Sequence, residues 1–117
     1  MAEIDRTHRG SHYVDIASLP WVPTPSGAGE MKELMGKLGT GPATVIFRMP
    51  AGSVVTFHEH PGLEQTYMLE GSLVDDQGAC TAGNYVWREA GSRHEAHTPD
   101  GCTFIAFFNG FSIPVTS

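Results

Sequence analysis

Charge is scarce in this 117-residue chain. Asp, Glu, Lys and Arg make up 17% of it, with 7 basic residues against 13 acidic ones. A formal net charge of −6 leaves no basic patch to neutralise phosphates, which argues against nucleic-acid binding. No apolar run approaches the ~20 residues that a bilayer-spanning helix needs. The opening segment, MAEIDRTHRGSHYVD, is polar and lacks the apolar stretch of a signal peptide. A cytoplasmic protein with no membrane partner is the expectation. Cysteine is limited to Cys80 and Cys102, which are too far apart for a CxxC motif. Both sit in apolar, strand-like surroundings and are expected to be buried thiols rather than a disulfide. The length allows one hydrophobic core and no second domain.

Turn formers are abundant instead: 14 Gly and 8 Pro. They punctuate short runs rich in β-branched and aromatic residues, the pattern of an all-β sandwich or barrel. Residues 1–12 read as a disordered tail and 13–117 as the single domain. Tyr13–Trp21 reads as a first extended segment, and Val22–Gly29 (VPTPSGAG) as a loop. Residues 30–38 are ambiguous, because Met31, Leu34, Met35 and Leu38 also follow helical spacing. From Thr44 onward the strands are clear: ATVIFRM, SVVTFHEH, EQTYMLEG, SLV, a tight turn at DDQG, then ACT, NYVWRE and CTFIAFFNGF.

The chemistry concentrates in GSVVTFHEHPGLEQTYMLEG, which holds His58, His60 and Glu64, and in GNYVWREAGSRH, which ends on His94. Alternate residues of a strand share a face, so His58 and His60 point together and away from Glu59. Glu64 has the same parity, although Pro61-Gly62 interrupts the strand. Three imidazoles and a carboxylate form a mixed nitrogen and oxygen set for one divalent transition metal ion: Fe, Mn, Zn or Ni. His97 falls on the face opposite His94 and is expected at the surface. His8 and His12 lie in the polar tail and are not read as ligands. Arg48, in an apolar strand, has two readings: a pocket residue for a carboxylate or enolate, or an outward-facing arginine. Tyr67, Trp87, Phe104, Phe107 and Phe108 are candidates for packing, some of them around an apolar cavity suited to a small organic molecule. No acid or base stands out apart from the metal.

The first segment resembles the first cupin motif at every defining position, from Gly52 through His58, His60 and Glu64 to Gly71. The second is similar to the second cupin motif at Gly83, Gly91 and His94. There Glu89 replaces the usual proline and Thr98 the usual asparagine, neither of them a metal ligand in cupins. The resemblance implies a cupin-type (RmlC-like jelly-roll) β-barrel and favours a strand over residues 30–38, paired with Thr44–Met49. It also implies His58, His60, Glu64 and His94 as the metal ligands, and a homodimer.

More closely, the chain resembles the cupin domain of zinc-dependent anti-sigma factors and small acetylacetone- and dihydroxyacetophenone-type dioxygenases. One implied function is a mononuclear non-haem dioxygenase cleaving a small diketone or aromatic ketone. Glu64 departs from the three-histidine site of the acetylacetone-cleaving relatives. The other is a non-catalytic zinc-binding or metabolite- or oxidant-sensing cupin. The helical zinc-binding domain of the anti-sigma factors has no room in this chain, which favours the enzyme.

Overall fold

The computed structural model describes residues 3–109 and 113–114. Among these there is no α-helix, only a single 3-10 turn at Ile16–Ser18 and ten strands. They are β1 (Val22–Pro23), β2 (Glu30–Met35), β3 (Ala43–Met49), β4 (Ser53–Glu59) and β5 (Glu64–Val74). There follow β6 (Ala79–Thr81), β7 (Tyr85–Arg88), β8 (Arg93–Thr98), β9 (Cys102–Phe108) and β10 (Ile113–Pro114). All pairings are antiparallel, in the order β1-β2-β3-β9-β5-β8-β4-β10, with β6 and β7 pairing further with β5.

The long β5 curls the sheet into a barrel-like form. Its N-terminal half lies between β9 and β7, while its C-terminal end pairs with β6 and touches β8 at Val74–His97. Read in sequence as two pieces, EQTYMLEG and SLV, it is one strand with a register shift against β9 between Met68 and Glu70. Inward residues from both halves meet in one core that includes Val45, Phe47, Met68, Leu73, Ala96, Phe104 and Ala106. Cys80 and Cys102 are buried free thiols within it, and burial raises both pKa values.

Residues 30–35 are a strand despite their helical spacing. Met31 pairs with Phe47 and Glu30 with Arg48, so packing against β3 outweighs local propensity. Val22–Pro23, read as loop, instead adds a two-residue strand to the β2 edge. Tyr13–Trp21 is interrupted by the 3-10 turn. The last strand was expected to run on through Phe111, but it ends at Phe108; Gly110 and Phe111 lie outside the described residues.

Candidate metal centre

Two strand ends deliver the three histidines, the last residues of β4 and the first of β8. His58 on β4 is paired directly with His94 on β8 because the register shifts between Val55 and His58. Such a bulge re-aims the side chains that follow it. Here it leaves Phe57 exposed and brings His58 inward. His60 lies just past β4 and is fixed by its backbone: its N–H donates to the Ser92 carbonyl (2.9 Å), and its carbonyl accepts from Gly91 N (2.6 Å). The turn holding Gly91 forms without the usual proline. Ser92 N–H closes it onto the Glu89 carbonyl at 3.1 Å, with Gly91 at φ 86°.

The rings converge. One ligand atom from each of His58, His60 and His94 lies within 4.8 Å of the others, with His60 and His94 buried. Each Nδ1 has an acceptor. His58 Nδ1–H donates to the Thr56 carbonyl (2.8 Å) and His60 Nδ1–H to the Ser92 carbonyl (3.0 Å). His94 Nδ1–H donates to Asp75 Oδ2 at 3.2 Å. These acceptors set the tautomer, leaving a lone pair on every Nε2. The Nε2 atoms of His58 and His60 are 3.1 Å apart. Two lone pairs at that distance repel unless a cation lies between them. Two nitrogens each about 2.0–2.1 Å from one ion, at right or tetrahedral angles, stand about 2.9–3.4 Å apart. The donor set therefore fits a transition-metal ion.

Electrostatics keeps the His60 and His94 rings uncharged. Burial, reinforced by the neighbouring His58 and His94, pushes the pKa of His60 down to about 4. Burial and the Arg88 charge push His94 down to about 4, with Asp75 pulling the other way. Neutral imidazole is the metal-binding form. Asp75 is itself well anchored. Its Oδ1 accepts from Gln77 N (2.8 Å) and Gly78 N (3.0 Å), and its Oδ2 from Arg88 Nη1 at 2.8 Å. Burial works to raise its pKa, but those hydrogen bonds, the bond from His94 and the Arg88 charge hold the carboxyl below its ordinary range.

Glu64 stands beside the three histidines rather than within the convergent set, its Oε1 3.9 Å from His60 Nε2. A cavity of about 440 Å³ opens next to the site, lined by His58, Glu64 and His94 and by Phe47, Phe104 and Phe108. The Phe47 and Phe104 rings stack with centroids 5.2 Å apart, and Phe108 meets Phe47 edge-on at 6.3 Å. A more polar concavity of about 500 Å³ adjoins the site, with His60, Asp75, Arg88 and His94 in its wall.

The structure turns Arg48 away from this cavity. Its guanidinium is exposed, pairs with Glu30 Oε1 at 2.8 Å and lies 4.1 Å above the Trp21 ring. The pocket reading of Arg48 is therefore replaced by the outward one. Phe107, Tyr67 and Trp87 are also exposed, since strand alternation gives the inner face to their neighbours. His97 is at the surface as expected. The sequence reading missed Asp75 and Arg88. In β7 the accessible Tyr85 and Trp87 alternate with Val86 and Arg88, so the aromatics, not the arginine, face outward.

A family model for the ChrR cupin-like domain matches residues 9–112, and the chain belongs to that family. Its fold is thus an all-β, cupin-type jelly-roll. Similar solved structures include a protein of Methylibium petroleiphilum PM1 provisionally assigned as an acetylacetone dioxygenase. It is 24% identical with a TM-score of 0.81, over 99% of this chain and 85% of that one. The acetylacetone dioxygenase of Acinetobacter johnsonii is 23% identical with a TM-score of 0.78, over 100% and 86% of the two chains. A structure of the Rhodobacter sphaeroides anti-sigma factor ChrR with SigE is 22% identical with a TM-score of 0.67. That match covers 78% of this chain and 50% of that one. No curated protein matches in sequence. Among the described residues no helix is long and apolar enough to cross a membrane.

Proposed function

We propose that this chain is a metal-dependent cupin of the dioxygenase type, acting on a small diketone or aromatic ketone. The observation that carries this reading is the convergence of three histidines beside an apolar cavity of about 440 Å³. That size suits a small organic molecule. His58, His60 and His94 would hold one divalent transition metal ion, with Glu64 as the fourth ligand. Bound there, the ion supplies Lewis acidity toward a chelating oxygen and, where redox-active, electron transfer with dioxygen. Phe47, Phe104 and Phe108 give the substrate an apolar wall and limit water. Thr56, Ser92 and Asp75 hold each imidazole in the tautomer that presents Nε2. The likeness to structures named as acetylacetone dioxygenases supports this choice of chemistry.

The test is oxygen uptake by iron-loaded protein offered β-diketones and hydroxyaryl ketones, alongside His94→Ala. Consumption of oxygen with substrate in the parent, lost together with metal in the variant, is expected. Full uptake by the metal-free variant contradicts the mechanism.

A second reading is a non-catalytic zinc-binding cupin that senses a metabolite or oxidant. The position of Glu64 beside the three histidines favours it, because four protein ligands can close a tetrahedral zinc site. Stoichiometric zinc with no turnover of any ketone would select this reading. Oxidant sensing would then fall to the metal, since Cys80 and Cys102 are buried with raised pKa values.

A further inference from the structure

Two loops border the apolar cavity on its solvent side, and they are held differently. One contributes Thr24, Pro25 and Ser26, the other Leu38 and Gly39. Pro25, Ser26 and Gly39 are exposed, whereas Phe47, Phe104 and Phe108 of the facing wall are buried. The first loop is tied to itself. Thr24 N–H donates to the Gly29 carbonyl (3.2 Å), Gly27 N–H to the Thr24 carbonyl (3.0 Å) and Thr24 Oγ1 to the Ala28 carbonyl (3.1 Å). In the second loop Thr40 turns back onto Lys37, its N–H and its hydroxyl both donating to that carbonyl. The link to the sheet is made by Leu38 N–H, which donates to Glu33 Oε2 at 2.6 Å. Glu33 is paired with Val45, a core residue, so its side chain starts from the inner face.

Leu38 is the one apolar side chain between Gly36 and Gly41. It is half-buried, packs against the core and lines the cavity. Strand register sets it at the metal end of the sheet. Met35 pairs with Thr44 where the hairpin closes, the adjoining Ala43 pairs with Phe108, and Phe108 pairs with Glu64. Phe47, Met49, Phe104 and Phe108 belong to the core itself, so a smaller side chain at any of them leaves a void and costs stability. Leu38 stands on a loop, where the cavity can be reshaped without opening that core.

We infer that Leu38 is a specificity-determining residue that covers the apolar substituent of the bound ligand, and that Glu33 is the positioning residue that holds it there. The ligand it selects is a small molecule with a polar head toward the histidines and an unbranched apolar tail under Leu38. The polar head rests on the metal reading under Proposed function; the covered tail does not.

Zinc-loaded full-length chain is titrated calorimetrically with acetylacetone and with homologues lengthened at one end by two and by four methylenes. Each methylene that Leu38 covers is expected to tighten binding about fourfold in the parent. In Leu38→Ala, acetylacetone should bind as before, while the gain per methylene falls below about twofold. Leu38→Met, close in volume, should restore the gain. Glu33→Ala should flatten the series as Leu38→Ala does, and Glu33→Gln, which keeps an acceptor for the Leu38 N–H, should restore it. The Leu38 methyl resonances, assigned by their loss in Leu38→Ala, should move when the longer homologues saturate the parent. An equal gain per methylene in the parent and Leu38→Ala, unmoved Leu38 methyls at saturation, or no binding of any homologue overturns the assignment. An unflattened series in Glu33→Ala overturns the positioning role. Zinc content is measured on the same samples. A chain that takes up no zinc overturns the metal reading alone, and the tail series on that chain then decides the role of Leu38.

Discussion

Asp75 shows how much of the site depends on residues that touch no ligand. Its one carboxylate oxygen, Oδ2, serves both Arg88 and His94. Substituting Asp75→Asn is expected to weaken metal binding about 10- to 100-fold, with the fold retained, as read by competition with a chelator of known affinity. His60 and His94 make a second prediction. Their folded pKa values of about 4 lie below the ordinary 6.5. Between those values the unfolded chain binds protons that the folded chain does not, so stability rises with pH. Metal-free protein should therefore lose stability as pH falls from 6.5 through about 4, and the depressed carboxyl of Asp75 adds to the loss in stronger acid. Urea midpoints at about pH 7.5 and about pH 5 check this, with the lower midpoint expected in acid. The histidines were legible because strand parity and spacing are local properties. Arg48 and Arg88 were not separable, since each follows an aromatic-containing strand segment and only the pairing of β3 and β7 shows which face each takes.

Elements convert that local pattern into a site. The register shift in β4 sets His58 opposite His94, and no residue in SVVTFHEH announces it. DDQG was legible as a turn, and Asp75 N–H does close onto the Gly78 carbonyl at 2.9 Å. Its second duty, holding an imidazole 19 residues away, depends on how β5 and β8 come together. The two glycines that bound the first motif are alike in sequence but differ in surroundings. Gly71 has φ 72°, and an added Cβ would run into the Gly101 carbonyl of the adjoining β9 approach. Gly52 has φ 83° with open space around it. Gly71→Ala is expected to cost at least about 2 kcal/mol, combining backbone strain with that collision. Gly52→Ala should cost only the conformational part, about 1 kcal/mol. Denaturant titration of the two variants side by side measures the difference. Residues 30–35 carry a related lesson: their helical spacing was real, but β3 offered Met31 a buried place against Phe47.

At the scale of the molecule, the curled sheet leaves apolar space beside converging histidines, so ligand binding and folding are linked. The fold class was legible early, because turn residues recur between short β-branched runs. The cavity was not, since its walls come from β3, β4, β5, β7, β8 and β9 and from the loops around Pro25 and Leu38 at once. An ion that binds the folded chain alone stabilises it in proportion to the logarithm of free metal. Free zinc at a hundred times its dissociation constant should add about 2.7 kcal/mol, visible as a rise of several degrees in thermal midpoint. His94→Ala should abolish that rise.

Elemental analysis of untagged protein purified without added metal or chelator tests the metal centre most directly. The account predicts close to one transition-metal ion per chain, reduced sharply in His94→Ala. Iron, manganese or nickel would favour the dioxygenase reading, and zinc the sensing one. A chain that contains no metal as purified, and takes up none on titration, would contradict the account at its centre.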